Sequence, residues 1–332
     1  MHRQFVNDPG DVVFEALEGF ELCHRSIVRW NRDPSFVIRA ERWRDDKVGL
    51  VSGGGSGHEP LHVGFVGAGM LDAAVPGRVF ASPSIVQVEA ATRAVASSGG
   101  AVQVVKNYTG DVLNFGIAAE AVAADGIPVE TVLVDDDLAT DALECGPGRR
   151  GTAAVLVVEK VCGAAAELGA SLDDVASIGR RVAGRSRSLA VALSAGTHFG
   201  EERPSFELEP DEMEFGVGIH GERGIGQRPF AGADDVVSML AEPLVGALGL
   251  GRGDAVLVIV NGLGSTHLLE QYIVHRGVSR YLAASGIEVA RALVGSYVTS
   301  LDMSGCSLTL VPMDEELVAL WDAPVHTAAW RW

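Results

Sequence analysis

Three short segments of the chain place ionisable residues among glycines, a combination that could do chemistry. The first is Val51-Ser-Gly-Gly-Gly-Ser-Gly-His-Glu-Pro60. Successive glycines let the backbone approach a small molecule closely and aim N–H groups at its oxygens. The segment follows an apolar run at Lys47–Val51 and precedes a helix expected to begin near Pro60, a residue tolerated in a first helical turn. Glycine-rich turns also join strands to helices without any ligand, yet a run that ends in His58 and Glu59 holds more than a turn needs. No Gly-Lys-Ser/Thr follows, so the segment is not a P-loop, and the Gly-x-Gly-x-x-Gly spacing with its later acid is missing. No nucleotide site is read anywhere in the chain.

Inside this segment, His58-Glu-Pro-Leu-His62 matches the His-Glu-x-x-His zinc pattern. That chemistry needs both rings one turn apart on a formed helix. His58 directly follows the glycines, Pro60 disfavours helix just before it, and no third ligand stands out, so no metal site is assigned. The second segment, Lys106-Asn-Tyr-Thr-Gly-Asp111, follows an expected strand. Open α/β sheets bind ligands at such strand ends. Asp111 there is either a general base or a cap of the next helix, and Lys106 could hold an oxyanion or hydroxyl. The third, Gly216-Val-Gly-Ile-His-Gly-Glu222, leaves the ring of His220 accessible between glycines. A lone His after a strand serves either structure or chemistry. The run Asp135–Asp137 reads as a solvated loop.

The elements that must position these residues are legible as alternating patterns. Short apolar runs at Lys47–Val51, Ala101–Val105 and Val129–Val134 read as strands, and Ser84–Ser97, Val112–Ala124 and Thr152–Leu168 as helices. Strands alternating with helices of this length indicate an α/β sheet with helical crossovers. The basic, polar stretch Arg180–Ser188 suggests a boundary between domains at 1–185 and 186–332. Beyond it, Leu189–Leu193, Phe215–Ile219, Asp254–Val260, Gly286–Val294 and Ser307–Pro312 read as strands, with helices at Asp234–Leu248 and Thr266–Ala283. The expected architecture is two α/β domains, each a mixed sheet with helical crossovers.

The composition narrows the function classes. With 332 residues, 47% hydrophobic and 21% charged, the chain can bury a full core without disulfide or metal staples. Lys+Arg is 26 against Asp+Glu 44, a net charge of −18, which works against nucleic acid or an anionic membrane as partner. Lysine occurs only at 47, 106 and 160; a compositional bias towards arginine accounts for that. Cys23, Cys145, Cys162 and Cys306 are widely spaced, and the start carries no secretory pattern, so a cytoplasmic location is expected.

In order and spacing, the three segments resemble the DhaK family of dihydroxyacetone kinases. The resemblance extends to GMLDAAVPG, FASPS, VDDD, GRRG, EMEFGVGIHGE and TSLDMSG, and to LALWDAPVHT-like text at Leu317–Thr327, and so covers nearly the whole chain. It implies a homodimeric α/β subunit that binds dihydroxyacetone but not the nucleotide. The residue matching His220 forms a covalent hemiaminal with the carbonyl carbon, the one matching Asp111 takes the hydroxyl proton, and the one matching His58 assists. Gly55, Ser56 and Gly57 match residues lining the substrate site, with Ser82 and Lys106 beside them. ADP or ATP with magnesium is implied on a separate DhaL-type subunit, which a phosphotransferase-system protein recharges or which exchanges ATP directly. A non-catalytic ketose-binding co-activator is the rival within the family; His58, Asp111 and His220 together argue against it. Two segments depart from the pattern. Gly196-Thr-His-Phe-Gly-Glu-Glu-Arg-Pro204 replaces a mostly uncharged stretch, and the stretch near Leu250–Gly253 is shorter than in many relatives. The first departure makes a four-carbon ketose such as erythrulose a candidate beside dihydroxyacetone.

Overall fold

The computed structural model describes residues 4–41, 44–141 and 148–332, so Cys145 lies outside the described residues. Two compact units share the chain. The first comprises Val6–Val134, Val155–Gly184 and Ala319–Trp332; the second comprises Asp135–Ala154 and Arg185–Val318 with the described residues of Met1–Phe5. The chain passes between these units five times, and the boundary expected at 185/186 lies one residue from the passage at 184/185. Local composition marks a linker, whereas these other passages run through ordinary structure.

In the first unit, α1 (Val12–Cys23) precedes a hairpin of β1 (Val28–Arg32) and β2 (Ser35–Arg39). Then come β3 (Gly49–Ser56), β4 (Gly67–Ala68), β5 (Ala73–Val79), α2 (Ile85–Val95), β6 (Ala101–Lys106), α3 (Thr109–Ala124) and β7 (Val129–Val134), with α4 (Ala154–Glu167) and α5 (Leu172–Gly184) after the passage through 135–154. The sheet order is β1-β2-β5-β3-β6-β7, parallel from β5 to β7 and antiparallel at β1 and β2. β3 is buried along its whole length. A strand covered on both faces reads as a continuous apolar run, and glycine fills that role here by letting neighbours come close. Under it, Val51, Val75, Val88, Val95, Val105 and Phe115 form a core.

The second unit holds β8 (Arg187–Ser194), β9 (Glu212–Phe215), β10 (Gly226–Pro229), α6 (Ala233–Leu248), β11 (Ala255–Gly262), α7 (Leu268–Ala284), β12 (Glu288–Gly295) and β13 (Ser304–Pro312). Its sheet order is β10-β9-β8-β13-β11-β12, with only β11 and β12 parallel. Its core centres on Val191, Met213, Leu240, Val258, Val278 and Leu308. After α8 (Glu315–Asp322), the short β14 (His326–Thr327) pairs with β4 of the first unit, and Trp330 meets Phe65 edge-on at 5.4 Å. Both units are mixed α/β sheets with helical crossovers, as expected.

Three expectations need correction. No helix follows the glycine segment: residues 57–62 form turns and only a 3-10 turn occurs, at Val63–Phe65. The strand expected at Phe215–Ile219 ends at Phe215, because Gly216 turns the chain with φ 76°. The acidic run is not solvated. Asp136 is fully buried and accepts from Thr152 N (2.6 Å), Thr152 Oγ1 (2.7 Å), Ala154 N (3.0 Å) and Ser188 Oγ, while Asp137 is paired with Arg150. Buried carboxylates need such partners. No helix among the described residues is long and apolar enough to cross a membrane.

Candidate functional site

The parallel part of the first sheet contains a switch point. The chain leaves β3 towards β5 on one side and leaves β6 towards β7 on the other. The crevice between the carboxyl ends of such neighbouring strands is where open α/β sheets accept ligands. Gly53–Ser56 end β3 and Lys106 ends β6. The Lys106 ammonium, buried completely, donates to Gly53 O at 3.0 Å, meets His62 Nε2 at 2.9 Å and lies 3.7 Å from Asp111 Oδ2. A Cβ on Gly54 would overlap Lys106 Nζ, so glycine is required there by the amine itself.

Asp111 sits in the first turn of α3, but it is not the cap; the N-cap position belongs to Tyr108. Its carboxylate is buried, and Oδ1 has no hydrogen-bond partner. A buried acceptor without a donor costs roughly 1–3 kcal/mol, so this oxygen is poised to accept a proton or a hydroxyl. Burial lowers the Lys106 pKa, against the pull of Asp111 and Glu159. Ser82 joins the group because Gly110 leaves room for it: a Cβ there would come 2.6 Å from Ser82 Oγ.

His58 is buried and stacks on Phe80, ring centroids 5.0 Å apart. Phe80 N donates to Ser56 O at 2.9 Å, and a Cβ on Gly55 would come 2.7 Å from Phe80 Cα. Ser56 Oγ donates to Gly77 O at 2.8 Å, and Gly57 N donates to Glu59 Oε2 at 2.9 Å. These bonds shape the loop. The His-Glu-x-x-His match is not presented on a helix, and His62 has other partners: Nδ1 lies 2.6 Å from Glu159 Oε1 and 3.1 Å from Ser52 Oγ.

Gly55, Ser56, Gly57, His58, Ser82, Lys106 and Asp111 thus all belong to the first unit, whereas His220 belongs to the second. Around His220, Glu222 folds back: Oε2 accepts from His220 N at 2.9 Å, and Oε1 meets Nδ1 at 3.0 Å. A carboxylate at Nδ1 selects the tautomer with the proton there and leaves a lone pair on Nε2. Arg150 secures the loop by donating to Gly216 O at 2.9 Å and to Asp137 Oδ2 at 2.7 Å. Burial pushes the Glu222 carboxyl up, but the His220 hydrogen bond and Arg150 outweigh it and bring the pKa down to about 2. The divergent Gly196–Pro204 segment borders this loop, since a Cβ on Gly221 would come 2.7 Å from Ser205 Oγ, and Ser205 N donates to Gly196 O.

Glu222, His62 and Glu159 were not singled out as site residues in the sequence. Glu222 had a signal, a carboxylate two residues after a glycine-flanked His. Glu159 had one as well: Glu-Lys interrupts an otherwise apolar helix, and such charges are almost never buried unless paired.

A glycine-lined strand-end crevice carrying a buried amine and a carboxylate defines an α/β protein built to hold a small polar molecule. A model of the Dak1 domain matches residues 18–329, and the chain belongs to that family, the DhaK-type dihydroxyacetone kinases. It is 42% identical to the PEP-dependent dihydroxyacetone kinase, dihydroxyacetone-binding subunit DhaK, of Escherichia coli K12, over 99% of each chain. Among solved structures, the dihydroxyacetone kinase of C. freundii superposes with TM-score 0.88 at 36% identity, over all of this chain and 60% of that one, and it is also known in complex with AMP-PNP and Mg2+. The dihydroxyacetone kinase operon co-activator DhaQ superposes with TM-score 0.91 at 33% identity, covering 96% of this chain and 98% of that one.

Proposed function

We propose that the protein is the substrate-holding subunit of a dihydroxyacetone kinase. His220 binds the ketose covalently. Its Nε2 lone pair attacks the carbonyl carbon, the C–N bond forms, the C=O π bond becomes an alkoxide, and the Nδ1 proton leaves by way of Glu222 to neutralise that oxygen. The product is a hemiaminal. It orients a molecule too small to be oriented by surface contacts alone, and it excludes glycerol, which has no carbonyl. Asp111 then takes the proton of the primary hydroxyl as that oxygen attacks phosphorus. Lys106 holds substrate oxygen at the crevice, Ser82 and the Gly55–Gly57 backbone line it, and His58, steadied on Phe80, hydrogen-bonds the substrate.

Phosphoryl transfer needs charge neutralisation by metal and cations. We assign the nucleotide and magnesium to a DhaL-type partner, because the chain has no P-loop and, among the described residues, no cluster of three His, Cys, Asp or Glu suited to a metal. The phosphotransferase system as donor, and a homodimeric state, belong to the same proposal. The observation that carries it is the unpartnered carboxylate oxygen of Asp111 beside the Lys106 ammonium at the strand-end crevice.

The test uses dihydroxyacetone and erythrulose, each carbon-13 labelled at the carbonyl. Wild type converts a bound ketone signal into a tetrahedral one, and His220→Ala does not. The sugar giving the larger tetrahedral signal is the preferred ketose. With a DhaL-type partner, Asp111→Asn keeps the tetrahedral signal and loses kcat by about 10²–10⁴-fold, the usual worth of a general base. A chain that binds ketose but never turns over with partner would be a co-activator.

A further inference from the structure

Behind Lys106 lies a buried chain of polar groups that the proposed reaction does not use. We infer that Glu159, acting through the ring of His62, is a positioning residue for Lys106: it keeps the His62 proton on Nδ1, so that Nε2 anchors the ammonium in its ion pair with Asp111, 3.7 Å away. The inference rests on the reading of Lys106 and Asp111 as substrate-site groups.

Counting hydrogens carries the argument. Ser52 Oγ has one hydrogen and donates it to Val104 O at 2.8 Å. Towards His62 Nδ1, 3.1 Å away, Ser52 can therefore only accept. Nδ1 must carry the proton, and its shorter bond, 2.6 Å, runs to Glu159 Oε1. Nε2 is then a bare lone pair and accepts from Lys106 Nζ at 2.9 Å. The opposite tautomer would set an N–H against an ammonium and a bare Nδ1 against a serine oxygen whose hydrogen is already engaged. With Gly53 O taking a second ammonium hydrogen, one remains for Asp111 and the crevice.

The groups come from separate elements: Ser52 from β3, His62 from the turns after it, Lys106 from β6, Asp111 from α3 and Glu159 from α4. All five are buried. Burial pushes the Glu159 carboxyl up to about 8, against the pull of Lys106, and drives the His62 pKa well down, with Lys106 and His58 adding to it. The ring therefore transmits hydrogen bonding while remaining neutral. Cys162 on α4 also faces Glu159, and its thiol is pushed up to about 12 by burial and by that carboxylate. Above about pH 8, where Glu159 is ionised, removing its carboxylate makes the Lys106 proton easier to lose. The alkaline limb of the rate profile, where Lys106 loses its proton, must move to lower pH.

The first measurement needs neither partner nor substrate. The full chain is labelled with nitrogen-15 histidine, the His62 signals are assigned by their loss in His62→Asn, and two-bond correlations are recorded between pH 6 and 9. A neutral ring protonated on Nδ1 throughout is expected; an Nε2–H tautomer or an imidazolium overturns the inference. The second measurement follows kcat against pH with a DhaL-type partner. In Glu159→Gln the alkaline limb moves down by about one unit, roughly a tenfold loss on that limb, and Glu159→Asp restores part of it. The carbon-13 hemiaminal signal on His220 persists in both variants. An unmoved limb in a folded Glu159→Gln overturns the positioning role. Absence of turnover in wild type overturns the kinase reading instead, and the tautomer measurement is unaffected by it. If Glu159→Gln does not fold, Glu159→Asp carries the rate test, with a smaller shift of the same sign expected and an unmoved limb decisive against the role.

Discussion

Each of the three lysines is buried and each has a distinct acceptor. Lys47 pairs with Asp72 at 2.6 Å, Lys160 donates to Leu320 O at 2.8 Å, and Lys106 serves the crevice. Arginine carries the exposed positive charge, and the three compact ammonium groups are all held inside. At position 106, Gly54 already leaves no room for one added carbon. Lys106→Arg should therefore fold yet lose at least about a hundredfold in kcat/KM for the ketose, since about an ångström of misplacement costs that much; steady-state kinetics with partner check it. Glu222 supplies a pH signature. Its pKa, depressed to about 2, contributes stability that is present above the ordinary 4.5 and is lost as pH falls towards 2. The side chain is 38% exposed, so solvent screening reduces the effect to about 1 kcal/mol. Glu222→Gln should cost that much at pH 7 by denaturant melts, and the gap should narrow between pH 4.5 and 3.

Among the elements, the site depends on β3 being held in register by charges beneath it. Asp72, with no exposure, accepts from Arg39 Nη1 (3.1 Å), Lys47 Nζ (2.6 Å) and Leu50 N (2.8 Å), which ties β2, β3 and β5 together at their base. Asp72→Asn takes the paired carboxylate from buried Lys47, while Arg39 keeps Glu167, and should cost about 3–5 kcal/mol, the range for breaking a buried pair; the drop in unfolding midpoint measures it. Strands with continuous apolar runs were legible in the sequence: β6, β7, β8 and β11 lie where those runs put them, with ends at most two residues adrift. So was the placement of the candidate residues: Lys106 ends β6, Asp111 lies in the first turn of α3 and His58 follows β3. β3 was half read, because its glycine half owes its extended form to parallel pairing with β5 and not to side-chain preference. The β1–β2 hairpin was missed, as was α5, whose buried face is built from small residues such as Ala176, Gly179 and Ala183 that give little apolar signal. The roles of Glu159 and His62 depend on the α4–β3 juxtaposition, which no local pattern encodes.

At the scale of the whole molecule, the chain passes between its two units five times, at 5/6, 134/135, 154/155, 184/185 and 318/319. The last segment completes the first unit. Leu320 O receives Lys160 from α4, β14 pairs with β4, and Trp330 packs edge-on against Phe65 and Trp321. A fragment that stops at residue 185 keeps the glycine segment, Lys106 and Asp111 but lacks all three attachments. Its Lys160 ammonium, whose pKa burial already draws down to about 8, would lose its carbonyl acceptor, and a buried donor left unmet costs about 1–3 kcal/mol. Losing the Trp330 packing adds about 3–5 kcal/mol on the scale of a Trp→Ala change. Together these approach the 5–15 kcal/mol that stabilises a typical domain. Residues 1–185 alone should therefore show helical far-ultraviolet dichroism without a cooperative thermal transition. Adding a peptide of residues 315–332 in trans should recover part of that transition, because it restores the Leu320 carbonyl and the tryptophan cluster together. A sharp, peptide-independent melt of the fragment would mean that the first unit is complete without its returning segment, and that the last passage is a matter of chain routing and contributes no stability.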